Sequence, residues 1–211
     1  YSTKEPKDRS IVESQIVILA HNIHEFELLI HYLEFSRHDY LEGQSERLKQ
    51  LIPANEGAQF SAILTKLQTL RELFTTLSKP VEGVDEQTRT QEQQHLETFM
   101  QDLGQMADLS TALALFPSTD PKKPEWLSPA DITQLALSSP QDAAPQIARL
   151  ASLEKLTSLR DKPEQFDAQF AEFQKEIVGA AKARGEYSRV PLEYFFYKGD
   201  RRGFLYTSVL Y

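Results

Sequence analysis

Cysteine is absent from the 211-residue chain, and with it go disulfide staples, thiol catalysis, thiolate-held zinc and a C-x-x-C-H haem attachment. Positive charge is also short, with 23 Lys and Arg against 31 Asp and Glu and a formal net charge of -8. No net positive field is available to displace phosphate counterions, so nucleic acid is not an expected partner. Alternating apolar and polar runs that would mark strands are nearly missing, and no stretch of 18 apolar residues occurs. The glycine-rich phosphate loops, the G-x-S-x-G elbow, the H-E-x-x-H zinc helix and the EF-hand loop are all missing, so no catalytic residue and no metal ligand is assigned.

What the chain does have is helical periodicity. The hydrophobic share is 40% with only 8 Gly, as expected of a packed, helix-rich fold. Ser10-Ile11-Val12-Glu13 reads as a capping box opening a long first helix. Val12, Ile16, Leu19, Ile23, Phe26, Ile30 and Leu33 then alternate by four and three, a heptad seam. Its expected partner is a second long helix, antiparallel, from about Ala58 to Ser78. A buried seam would make Ile23→Ala or Phe26→Ala cost about 2–5 kcal/mol. A short helix is expected around Glu46 to Ile52 and a third long helix from about Thr88 to Ala107.

The segment FPSTDPKKPEW holds three prolines in eleven residues and reads as a boundary. The expected organisation is an N-terminal helical part over 1–116, a Pro-rich connection over 117–128 and a C-terminal helical part over 129–211. In the last part Ser128-Pro129-Ala130-Asp131 is a helix start, with Pro at the first helical position. A further helix is expected from about Pro145 to Leu159. The predicted fold class is mainly α: a multi-helix bundle with long antiparallel N-terminal helices and a helical C-terminal half.

Four of the five histidines, His21, His24, His31 and His38, are expected on the first helix, whose far end Gly43 and then Pro53 punctuate. Residues seven apart on a helix are about 10 Å apart, too far to share an ion, which leaves His21 with His24 as the one local pair. Neutral imidazole is a common ligand of haem iron, so these two are the candidate cofactor-binding residues. The competing reading is a solvated face, because Glu27 and Glu34 each precede a histidine by four residues, the favoured order for a surface pair.

From Pro163 the chain reads as an amphipathic helix whose stripe is Phe166, Phe170, Phe173 and Ile177, stopped by Gly185. This helix is expected to pack on the first two. Beyond it, residues 190–211 carry seven of the chain's Phe and Tyr residues. Such a density fits either a docked hairpin or an interfacial aromatic belt leading into a membrane helix. Leu192, Glu193, Phe195, Phe196 and Tyr197, then Leu205, Tyr206, Leu210 and Tyr211, resemble the junction of one family. That family is the cytochrome c assembly membrane proteins of the haem-handling, system II type, in the planctomycete-like form with a long soluble insert. Phe166 and Phe170 to Phe173 resemble its D-x-x-x-F-N-like helix, and Leu192 to Tyr197 its L-E-x-x-Y-N segment. Lys198 stands where that pattern has Asn, and KGDRRG replaces a more apolar approach. The resemblance covers roughly the last fifty residues, with an extension back to Pro117 and Trp126, and does not reach 1–110.

The resemblance implies a non-catalytic soluble domain that positions haem or apocytochrome c for assembly on the extracytoplasmic, periplasmic face of a bacterial membrane. It implies the membrane part of the same protein as a partner. It places haem there and leaves this domain without a cofactor of its own. Lys198, Arg201 and Arg202 pull the other way, since a basic flank favours the cytoplasm, although long soluble regions translocate largely regardless of charge. The alternative reading is an extracytoplasmic helical ligand-binding or sensor domain with a pocket between the first two helices. A soluble enzyme would need clustered titratable groups that the sequence does not display.

Overall fold

The computed structural model describes residues 9–52, 59–79, 85–120 and 125–186. The predicted mainly-α bundle is what forms: among these residues are eight α-helices and one two-stranded pairing. Helix α1, Ile11–His31, begins at the expected capping box. The Glu13 N–H donates to Ser10 Oγ at 3.2 Å, and the Ser10 N–H donates to Glu13 Oε2 at 2.8 Å, so two otherwise orphaned donors are satisfied reciprocally. A 3₁₀ turn, Glu34–Ser36, follows, and Gly43 takes the left-handed conformation (φ 72°) in the bend that leads to α2, Glu46–Leu51.

The second long helix of the sequence reading is two helices, α3 (Phe60–Leu64) and α4 (Leu67–Leu77), broken at Thr65-Lys66. No side chain of α3's own N-cap closes its start. The carboxylate of Glu154, far along the chain, does so instead. Helix α5, Glu86–Leu109, starts at Asp85, which accepts from the N–H groups of Gln87 and Thr88. Leu96, Phe99 and Leu103 face inward at helical spacing and meet α4, the 3₁₀ turn and α6.

The Pro-rich connection is more ordered at its ends than its composition suggests. Phe116–Pro117 (β1) pairs antiparallel with Trp126–Leu127 (β2), Phe116 opposite Leu127 and Pro117 opposite Trp126. Helix α6, Pro129–Ser138, opens on the predicted Ser128–Asp131 capping box. Helix α7, Pro140–Ser158, starts five residues earlier than expected. Pro145 is carried inside it on an exposed face, where water can take the hydrogen bond its missing N–H would have given Gln141. Helix α8, Pro163–Ala183, ends at Gly185 (φ 75°). The Gly185 N–H donates to Lys182 O and the Glu186 N–H to Ala181 O, a Schellman stop.

One apolar core runs from Phe35 through Phe60, Leu70, Phe99 and Phe116 to Leu150 and Leu156, so residues on both sides of the Pro-rich connection share it. Two packing expectations are corrected. Helix α8 lies on α7 and β1, not on the first two helices, with Phe166, Phe173 and Ile177 against the core and Phe170 half exposed, stacked on Phe166. Helix α1 contributes no buried residue, and its seam stays open: Val12 is 67%, Ile23 49% and Phe26 63% exposed. The long antiparallel N-terminal pair therefore does not form. The reason is that α3 and α4 spend their apolar faces on α5, α6 and α7, leaving none for α1.

Candidate functional site: the α8 junction and the open face of α1

Two places stand out once the core is accounted for. The first is a polar clamp where α8 ends. Arg184, whose side chain is 7% exposed, donates through Nη1 to the carbonyl of Ser118 at 2.6 Å and through Nη2 to Glu186 Oε1 at 2.6 Å. Trp126 Nε1 donates to Glu186 Oε2 at 3.0 Å. One carboxylate thus holds both the guanidinium and the indole, and charge-assisted bonds of this length are the strong ones. Next to it, the carbonyl of Pro117 accepts from Gln146 Nε2 at 2.9 Å and from Arg149 Nη1 at 3.1 Å. Arg149 also pairs with Glu176 of α8 at 3.6 Å. Phe116, buried beneath, meets the ring of Phe173 edge-on at 6.4 Å. The 116–118 segment is thereby tied to α7 and α8 mainly through its own carbonyls, and the last turn of α8 is tied to it in return.

Ser118, Gln146, Arg149, Arg184 and Glu186 were not singled out from the sequence. Arg184 and Ser118 are 66 positions apart, Trp126 and Glu186 are 60 apart, and an ion pair that close in sequence as Arg184–Glu186 is indistinguishable from an ordinary surface pair. The only available signal was Trp126 as the chain's single Trp. The predicted aromatic segment beyond, 190–211, lies outside the described residues, as does the family-like stretch Leu192 to Tyr197.

The second place is α1. Ile11, Val12, Ile16, Ile18, Leu19, Ile23, Phe26, Leu29 and Ile30 are all exposed. Monomeric soluble proteins rarely show contiguous apolar patches beyond a few hundred Å². The half-covered positions, Glu13, Ser14, Val17 and Leu28, lie on the opposite side of the helix. His21 and His24 also lie away from the seam, and both are exposed. His21 Nε2 sits 3.1 Å from Glu25 Oε1, one turn on. His31 approaches Glu34 at 4.0 Å and His38 packs its ring edge on Tyr40 at 4.8 Å. The structure therefore separates the histidines from the apolar face instead of combining them on it. Among the described residues no group of three or more His, Asp or Glu is placed to hold a metal ion.

Depressions in the surface lie elsewhere. One of about 570 Å³ is bordered by Ser118, Asp120, Asp131, Gln134 and Asp142, and another of about 640 Å³ by Ser61, Thr65, Ile147 and Ala151. Neither lies between the first two helices, where the sensor reading put its pocket. Among the described residues no helix is long and apolar enough to cross a membrane. No family model, curated protein or solved structure matches the chain.

Proposed function

We propose that this chain is a non-catalytic soluble domain of a cytochrome c biogenesis membrane protein, holding haem or apocytochrome c in position while membrane parts of the same protein perform the assembly. The observation that carries the reading is the clamp at the end of α8. A positioning domain needs a stiff connection between its body and whatever follows, and here Arg184, Glu186 and Trp126 fasten the final turn to the Phe116–Ser118 segment. Further support comes from the resemblance of Phe166 and Phe170 to Phe173, and of Leu192 to Tyr197, to that family's junction. In this reading the domain faces the periplasm and meets the membrane part of its own protein and the apocytochrome. Haem is a ligand of the full-length protein.

Deleting the gene and staining membranes for covalently bound haem tests this directly. Loss of holocytochrome c, restored by the wild-type gene but only in part by one encoding Arg184→Ala, is the expected outcome. Unchanged holocytochrome c in the deletion strain would overturn the assignment.

A further inference from the structure

We infer that the open face of α1 is the contact between two copies of this chain, paired in parallel as a short coiled coil. The argument begins with register. Ile16, Ile23 and Ile30 occupy every a position of the exposed seam, and Val12, Leu19 and Phe26 occupy the d positions. Isoleucine at every a position, with Leu at the central d position Leu19, is the pattern that favours two parallel strands, and the knobs-into-holes repeat requires a helix as partner, not a flat surface. The seam leads at its C-terminal end into Leu33, which packs against the core, so the apolar stripe is continuous with the body of each copy.

Charge separates the two orientations. The seam carries no ionisable residue, and its flanks are Glu13, Ala20 and Glu27 at e with Gln15, Asn22 and Leu29 at g. A parallel pair sets g against the following e of the partner: Gln15 against Ala20, Asn22 against Glu27. An antiparallel pair that keeps the same layers sets Glu13 against Glu27 of the other copy at both ends, a like-charge contact made twice. Acidic flanks without Lys or Arg on the helix also argue against a lipid surface, since helices that lie on membranes carry basic polar faces.

Size and access fit as well. Six seam side chains, each more than two-fifths exposed, approach the scale of the ~800 Å² per partner that a standard interface covers. Among the described elements none packs extensively on α1, so two copies can meet along the seam about a two-fold axis.

Sedimentation of the 211-residue chain at micromolar concentration provides the first test. The expected species has twice the 24.1 kDa chain mass, and Ile16→Glu with Ile23→Glu halves it while circular dichroism and melting of the core remain those of a folded helical protein. Val12→Cys supplies the second, since the chain has no other cysteine. In the parallel pair residue 12 faces its own copy within disulfide reach, whereas in the antiparallel pair it faces Ile30 and its copy is about 27 Å away. Rapid oxidation to a covalent dimer supports the inference. A monomeric parent overturns it, and so do three other results: failure of Val12→Cys to cross-link, dimers that survive Ile16→Glu with Ile23→Glu, and a dimer seen only after residues 190–211 are removed. Binding of phosphatidylglycerol vesicles by a monomer, lost in the double variant, would assign the face to lipid instead.

Discussion

Glu154 of α7 closes the N-terminus of α3 by accepting the Ser61 N–H at 3.1 Å across 93 positions of sequence. The residue is 2% exposed, and its other carboxylate oxygen has no hydrogen-bond partner among the described residues. Burial pushes the carboxyl up from its ordinary range, against the lowering pull of the hydrogen bonds from Ser61 and from the Phe60 N–H. The same logic recurs elsewhere in the body, where Arg89 reaches the last turn of α4 at Leu77 O and Gln68 reaches the end of α6 at Leu137 O. Short helices here are finished by side chains borrowed from their neighbours.

The pH dependence of stability follows from that carboxyl. Because the folded state holds the proton more tightly than the unfolded chain, this group destabilises the fold at neutral pH, and its contribution improves as pH falls from the raised folded value towards the ordinary carboxylate range. Glu154→Gln keeps an acceptor for Ser61 and removes the charge. Its urea unfolding free energy is expected within about 1 kcal/mol of the parent at neutral pH, while the difference between the two shifts in favour of the parent on acidification. Glu154→Ala loses the cap and leaves a void, and is expected to cost about 1–3 kcal/mol. A parent-to-Gln difference that stays constant with pH would mean that the carboxyl titrates normally.

Core and seam should separate cleanly in denaturation experiments. At concentrations low enough for the chain to be monomeric, Ile23→Ala and Phe26→Ala are expected to change stability by less than about 0.5 kcal/mol. Phe99→Ala, fully buried in α5, is expected to cost about 3–5 kcal/mol. Comparable losses at all three sites would put α1 back into the core.

That contrast marks where the sequence was readable. Ser10 with Glu13, Ser128 with Asp131, and Gly185 announce helix ends because a cap is a local arrangement of neighbouring residues. Periodicity likewise reveals that Val12 to Leu33 form a stripe, but it carries no record of what covers the stripe, and the seam proved open. The break at Thr65-Lys66 was hidden because Ile63, Leu64, Leu67 and Leu70 continue an apolar pattern straight across it. Glu154 was invisible for a related reason, since its cap and its burial arise only when α3 and α7 come together.

Trp126 offers a built-in probe of the α8 junction, being the chain's single Trp. Glu186→Ala removes the acceptor of its indole N–H and the charge partner of the nearly buried Arg184, and is expected to shift its emission, speed amide exchange over 184–186 and cost about 1.5–3 kcal/mol. Arg184→Ala leaves the Ser118 carbonyl without its charged donor and is expected to cost about 1.5–3 kcal/mol. Emission identical to the parent in Glu186→Ala would show that the indole does not depend on this contact.

Haem titration addresses the histidines. Haemin added to the purified chain is expected to give no saturable one-to-one Soret change, because His21 and His24 stand on exposed surface away from the apolar face and His21 is engaged by Glu25. A saturable spectrum that disappears in a His21→Ala, His24→Ala variant would instead place haem ligation on α1.

The buried residues next to α1 begin at its C-terminal end, with Tyr32, whose hydroxyl donates to Leu113 O at 2.8 Å, and Phe35. From that anchorage 21 residues extend about 30 Å to Ile11. Mechanically this is a lever with its fulcrum at Tyr32. A tilt of only about 10° there would carry the far tip roughly 5 Å over a 30 Å arm, so an event at the Tyr32–Leu113 contact is amplified at Ile11, and pairing two such levers would bring their motions into step.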